Sequence, residues 1–313
     1  MKITEYLNNS KKTLFSYEII PPYRGGSIDK VFNLVEDLMP YDPPFIDLTS
    51  RSAESYYQHD ESGNLKEHIR RKRPGTIGIS AAIKNKFNVE TVPHILCNGF
   101  TKEETEDALI ELDYLGIENI LAVRGDELRI KEHNRKAANV YASDLVSQIQ
   151  DMNNGKYLED LIDVNKTEFC VGVGGYPEKH FEAHSLEKDL ETLRHKVDCG
   201  ADYIVTQMFF DNDVYFKFVD LCRKNGIQVP IIPGIKILSM ERHLDVLPRH
   251  FYLKIPEKLI NSVEGKSKSQ IKSAGIDWAN MQVQELIDNN VPCIHFYIMS
   301  SANSAVNVVS NFI

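Results

Sequence analysis

Eight short apolar segments recur along the 313-residue chain, each separated from the next by a tract of helical periodicity. That alternation constrains the fold more than any other feature of the sequence. Strands that never follow one another directly indicate parallel βα units. The segments are Phe15–Ile20, Phe45–Thr49, Thr76–Ala82, Ile117–Val123, Glu168–Gly174, Tyr203–Met208, Val229–Ile232 and Pro292–Ile298. Eight is the number that closes, so the predicted fold is a single-domain (β/α)8 TIM-type barrel over residues 1–313. An open doubly wound sheet is the alternative.

The helical tracts carry their own punctuation. Val31, Leu34, Val35 and Leu38 recur at helical spacing after Ser27, which can cap them. Thr101 and Glu104 fit a capping box, Leu109, Leu112 and Leu115 form a stripe, and Gly116 ends it. A helix starts near Ser143, and the tract from 240 to 290 is helical with breaks near Pro256 and Gly265. Trp278, Met281 and Leu286 are its core candidates, and Ala302–Val309 forms a last helix. Residues 51–75, ending in Arg70-Arg71-Lys72-Arg73-Pro74, read as an exposed loop with one helical turn. Residues 127–140 read as a polar loop.

Composition narrows the function classes. An apolar content of 42 % supports a full core, and 26 % charged residues support a solvated surface. A formal charge of −9 disfavours general nucleic-acid binding. No apolar run approaches the ~20 residues of a membrane span. The N-terminus lacks a secretory signal, and the five cysteines include no C-x-x-C pair, so reduced thiols in the cytoplasm are expected. No metal is expected either; Asp211, Asp213 and Glu178 suit solvated helix starts.

In a (β/α)8 barrel, chemistry sits at the C-terminal strand ends. Glu18 is an ionisable residue on an apolar strand, opposite in facing to Phe15, Tyr17 and Ile19. A paired structural carboxylate and a catalytic one both fit it. Thr49, Arg124-Gly125-Asp126, Tyr176, Gln207 and Gly234 fall at other strand ends, and His94 is expected from the connection after the third strand. Each could be an ordinary cap; their recurrence with glycines points to a large ligand site. Gly172-x-Gly174-Gly175 lacks the spacing of a dinucleotide fingerprint, and Pro177 would interrupt the helix that should follow.

An ordered set of motifs spans nearly the whole chain: Tyr17-Glu18-Ile19-Ile20-Pro21-Pro22, Pro93-His94, Ala122-Val123-Arg124-Gly125-Asp126, Tyr141-Ala142-Ser143-Asp144-Leu145 and Tyr176-Pro177-Glu178-x-His180. It continues with Lys196-Val197-x-x-Gly200-Ala201-Asp202, Thr206-Gln207-x-Phe209-Phe210-Asp211, Ile231-Ile232-Pro233-Gly234-Ile235 and His295-Phe296-Tyr297. This set resembles the catalytic domain of the methylenetetrahydrofolate reductase family, short bacterial type. The resemblance implies an FAD-containing barrel of one-carbon metabolism that reduces 5,10-methylenetetrahydrofolate to 5-methyltetrahydrofolate with NAD(P)H, in ping-pong fashion. By the same resemblance Glu18 is the general acid, Asp126 lies beside the flavin and meets the pterin, and Gln207 contacts substrate. Thr49, His94, Arg124, Gly125, Asp126, Ala142, Tyr176, His180, Ala183, Asp189 and Lys196 fall on flavin-contacting positions. Because the resemblance is to the short type, no adenosylmethionine-sensing domain is expected, and a homo-oligomer is one expected state.

The sequence departs from the family pattern in three places. Ile19 and Ile20 replace the usual aromatics after the acid, Ile298-Met299-Ser300-Ser301 replaces Thr-Leu-Asn-Arg, and Leu247 stands where an aromatic is common. These positions bear on how nicotinamide and the folate tail are held. Two other classes remain: a pterin-dependent methyltransferase barrel, and a flavin- or folate-binding subunit fed by a partner electron carrier.

Overall fold

The computed structural model describes residues 1–50, 54–60, 62–70, 75–125 and 138–313. Asp126, the basic loop 129–136 and residues 71–74 of the basic run lie outside the described residues. The chain opens with α1 (Ile3–Asn9), β1 (Leu14–Ile19), α2 (Asp29–Glu36), β2 (Phe45–Leu48), β3 (Glu54–His59), β4 (Leu65–Arg70), α3 (Ile77–Phe87) and β5 (Glu90–Leu96). It continues through α4 (Lys102–Tyr114), β6 (Asn119–Val123), α5 (Ala142–Asn153), β7 (Cys170–Gly175), α6 (Leu186–Asp198), β8 (Tyr203–Met208) and α7 (Asn212–Lys224). The last part comprises β9 (Ile231–Ile235), α8 (His243–Phe251), α9 (Glu257–Val263), α10 (Lys268–Asp288), β10 (Cys293–Met299) and α11 (Asn303–Val309).

Eight of these strands close a barrel in the order β1-β10-β9-β8-β7-β6-β5-β2, and β3 and β4 form a separate antiparallel hairpin. The TIM-type prediction holds. Side-chain alternation then divides the interior in two. Phe15, Tyr17 and Ile19 point outward into the layer beneath the helices, where they meet Val31, Val35 and Phe296. The barrel lumen is filled by Phe45, Val92, Leu121, Tyr203, Ile232 and Cys293, and Ile3 and Leu7 of α1 close its lower end. Gly172 makes room for this filling, because a Cβ there would lie 2.3 Å from the Tyr203 ring. Gly172 and Gly175 of the Gly-x-Gly-Gly run thus serve packing inside β7, the latter against Ile204. A third apolar cluster, with Phe210, Leu238, Leu247, Leu259 and Ile271, packs beneath α8 to α10.

Two predicted elements are corrected. Thr76–Ala82 is not the third barrel strand: residues 77–87 form α3, and the strand is β5, which contains His94. The β-branched residues at 76, 77 and 79 imitate a strand, yet Ile79 and Ile83 are buried four apart, which is helical spacing. Pro93 disguises β5, since proline cannot donate to a ladder. It stands opposite Leu48, the last residue of β2. The stretch 51–75 carries the β3–β4 hairpin rather than a loop with a helical turn.

Smaller differences follow exposure. Leu115 and Met281, expected inside, are exposed, whereas Leu109, Leu112 and Leu286 are buried. The α4 capping box forms as predicted, with Thr101 Oγ1 accepting from Glu104 N–H and Glu104 Oε2 from Thr101 N–H. Thr101→Ala is expected to cost about 1 kcal/mol, measurable as a lower urea midpoint with an unchanged denaturant slope.

Candidate active site

Glu18 sits one residue before the end of β1, in register with Asp47 of β2 and Tyr297 of β10. Its facing follows from alternation: the same pattern that sends Tyr17 and Ile19 outward turns Glu18 into the barrel mouth. Thr49 Oγ1–H donates to Glu18 Oε1 at 2.8 Å. His94 Nε2 lies 3.7 Å from Glu18 Oε2 and 3.5 Å from Asp47 Oδ2. Below them Ser16 Oγ and His295 Nδ1 are 2.8 Å apart. Lys236, just beyond β9, donates from Nζ to Tyr297 O at 2.6 Å, and Tyr297 Oη–H donates to Thr206 O at 2.7 Å.

The electrostatics of this group favour neutral carboxyls. Burial raises Glu18 above the usual carboxylate range; the His94 ring opposes that shift, and the charge on Asp47 adds to it. Burial pushes Asp47 up to about 7, with His295 opposing. Both imidazoles are pushed down by burial, which holds them neutral, and Lys236 is pushed down to about 8. A buried carboxyl protonated near neutrality, with a hydroxyl donor and an imidazole in place, can deliver a proton to a ligand at the mouth.

A second group lies on the far side of the mouth, at the ends of β6 and β7. Lys196 of α6 reaches inward to donate to Gly174 O at 3.0 Å. Arg124 Nη2 donates to Glu182 Oε1 at 2.7 Å, and His180 N–H donates to Asp189 Oδ2 at 2.8 Å. The His180 ring meets Tyr176 edge to face, with centroids 4.5 Å apart. Lys196 is pushed down by burial; the Asp189 charge opposes this and that of Arg124 reinforces it. Gly125, at φ +84°, turns the chain so that its carbonyl accepts from Asn98 Nδ2 at 3.2 Å. Ala142 opens α5, and Ala183 O accepts from Lys179 Nζ. Two cations and an imidazole therefore gather on this side of the mouth, with Glu182 and Asp189 as their counter-charges.

The predicted residues thus divide into two sets. Glu18, Thr49 and His94 form the acid side; Arg124, Gly125, Ala142, Tyr176, His180, Ala183, Asp189 and Lys196 form the cationic side. Gln207 lies near the end of β8, its Oε1 accepting from Met208 N–H, and Gly234 donates its N–H to Thr206 Oγ1. Asp126 lies outside the described residues. Sequence reasoning missed Asp47, His295, Lys236 and Asn98. Asp47 carried a signal equal to that of Glu18: a carboxylate between Ile46 and Leu48 on an apolar strand. Among the described residues, no cluster of three or more His, Cys, Asp or Glu is arranged to hold a metal ion, and no helix is long and apolar enough to cross a membrane.

A parallel eight-stranded barrel with a buried acid on its first strand and a cationic cradle opposite has the layout of an acid–base enzyme of the (β/α)8 class. A family model described as methylenetetrahydrofolate reductase matches residues 2–312, and the chain belongs to that family. Methylenetetrahydrofolate reductase (NADH) 1 of Arabidopsis thaliana is 30% identical over 313 residues, covering 96% of this chain and 48% of that one. The 5,10-methylenetetrahydrofolate reductase of Escherichia coli (strain K12) is 29% identical over 289 residues, covering 92% of this chain and 86% of that one. The chain spans about half the length of the plant and yeast relatives it matches. Among solved structures, an uncharacterized protein from Clostridium thermocellum, described as binding two copies of 5-methyl-5,6,7,8-tetrahydrofolic acid, aligns over 98% of this chain and 96% of its own. Its TM-score is 0.59 at 13% identity, a likeness of fold.

Proposed function

We propose that residues 1–313 act as one catalytic barrel that reduces 5,10-methylenetetrahydrofolate to 5-methyltetrahydrofolate, using electrons from NAD(P)H and a bound FAD. The observation that carries this reading is Glu18: a buried carboxyl, raised by desolvation, held at the barrel mouth by Thr49 and faced by His94. Family membership supports the reaction class, and the Clostridium thermocellum protein shows that a barrel of this fold can take a reduced folate.

The cationic side fits FAD. Lys196 and Arg124 are suited to its pyrophosphate, and the start of α5 offers backbone N–H groups to the same anion. Tyr176 and His180 supply flat surfaces beside them. Bound flavin would supply the hydride acceptor and donor that no side chain can provide.

The remaining tasks fall to the chain itself. Glu18 gives its proton to N10 of the folate as the five-membered ring opens, making the one-carbon unit electrophilic. Thr49 fixes the carboxyl by its 2.8 Å hydrogen bond, so the proton stays aimed at the mouth. Asp126 and Gln207 are assigned to the pterin and substrate. Lys236 and Tyr297 wall the side of the mouth that carries the altered segment Ile298–Ser301.

The purified protein is expected to show flavin absorption, to bleach with NADH or NADPH in the absence of oxygen, and to recover with methylenetetrahydrofolate. A colourless protein that still binds folate would favour the methyltransferase class. A flavoprotein that only a protein reductant can bleach would favour the electron-carrier class.

A further inference from the structure

Glu18 and Asp47 are register partners on neighbouring strands, with His94 Nε2 between them at 3.7 and 3.5 Å. Asp47 is fully buried, and neither of its oxygens has a hydrogen-bond partner; His94 Nε2 has none either. A lone ionised carboxylate in that position is costly. Two carboxyls that flank one imidazole cannot ionise independently: both are protonated at rest, and once one carries the charge the other keeps its proton to higher pH.

We propose that Glu18, His94 and Asp47 form one proton-sharing unit, in which Asp47 is a positioning residue that keeps a proton available to Glu18. The inference rests on Glu18 being the acid of the proposed reaction. When Glu18 protonates the substrate nitrogen, its O–H bond breaks, an N–H bond forms, and a carboxylate remains. His94, in the tautomer with its proton on Nδ1, then takes the Asp47 proton on the Nε2 lone pair. It hands that same proton to Glu18, the side chains closing the 3.5 and 3.7 Å gaps as they do so. The negative charge moves from the mouth to Asp47, no electrons are exchanged, and one solvent proton restores the unit.

The charged and titratable neighbours among the described residues bear on this. Glu18 is faced by Asp47 of β2, His94 of β5, Lys236 beyond β9 and Tyr297 of β10. Asp47 is faced by His94 and by His295 of β10, which can stabilise the charge it receives, and by Tyr203 of β8. Cys293, also beside Asp47, is pushed up to about 12 by burial and stays a neutral thiol. Tyr203 is likewise held neutral, so among the described residues the negative charge that acts on Glu18 from within the lumen is that of Asp47.

The sign of the expected effect follows. Glu18 must be protonated to act, so the folate half-reaction slows as pH rises through its titration. Removing the Asp47 charge makes Glu18 easier to ionise, which moves that limb toward acid. In Asp47→Asn the limb is expected to shift by about one pH unit, roughly a tenfold loss of rate at a pH above it. Flavin reduction by NAD(P)H should keep its rate and pH dependence. Infrared titration of the flavin-loaded protein should show two coupled carboxyl steps in the wild type and one in the variant. Asp47→Ser repeats the test with a smaller side chain if the asparagine protein does not fold. A limb that stays at its wild-type pH in both variants, or carboxyl steps that remain independent of Asp47, overturns the proposal. If wild-type flavin is not reoxidised by methylenetetrahydrofolate, the functional reading fails instead, and the infrared titration still decides whether the proton is shared.

Discussion

Glu18→Gln is expected to leave flavin bleaching by NAD(P)H near its wild-type rate and to slow reoxidation by methylenetetrahydrofolate about 10²–10⁴-fold, the usual contribution of a positioned general acid. Glutamine keeps the shape of the side chain and an oxygen to accept the Thr49 hydroxyl, so the barrel mouth should survive the change. It removes only the transferable proton. Stopped-flow measurement of the two half-reactions separates the cases. Comparable losses in both would assign Glu18 a structural task, as a partner for His94 and Thr49. A loss confined to the folate step would assign it the proton.

Gly275→Ala should destabilise the protein by about 2 kcal/mol or more, although propensity alone favours alanine in a helix by ~1 kcal/mol. The reason is steric. Gly275 lies inside α10, and an added Cβ would stand 1.8 Å from Leu238 O, a backbone atom with little freedom to yield. Leu238 lies two residues beyond Lys236, so displacement there also reaches the mouth of the barrel. Urea unfolding should report a lower midpoint, and the folate half-reaction should weaken more than flavin bleaching. A stabilised variant would show that α10 can slide away from the 236–238 segment at no cost.

Much of this was legible in the sequence, for reasons that differ by element. The eightfold alternation gave the barrel because parallel strands must be separated by coverings. Glu18 was legible because period-two alternation exposes a polar residue on an apolar strand. The third strand was misplaced because Thr76–Ala82 mimics alternation with small residues, while Pro93 inside β5 makes the true strand read as a break. Asp47 and His295 were passed over because their importance lies in each other's proximity: strands distant in sequence bring Asp47 against both imidazoles. Lys236 gave no signal, since a lysine after a strand is ordinarily solvated. Only the closed barrel shows that it turns inward to Tyr297 O.

The acid straddles the seam where the barrel closes. Glu18 pairs with Tyr297 and Ser16 with His295, so the first strand meets the last. That pairing closes the longest loop in the chain, and loop-closure entropy grows with length. During synthesis at ~5–20 residues per second, β1 emerges on the order of tens of seconds before its partner exists. For that interval β1 can pair with β2 alone, and its other edge stays open. Chemistry at Glu18 therefore reports that the whole chain has been made and zipped shut, and a fragment lacking β10 would have the acid without the wall that shapes it.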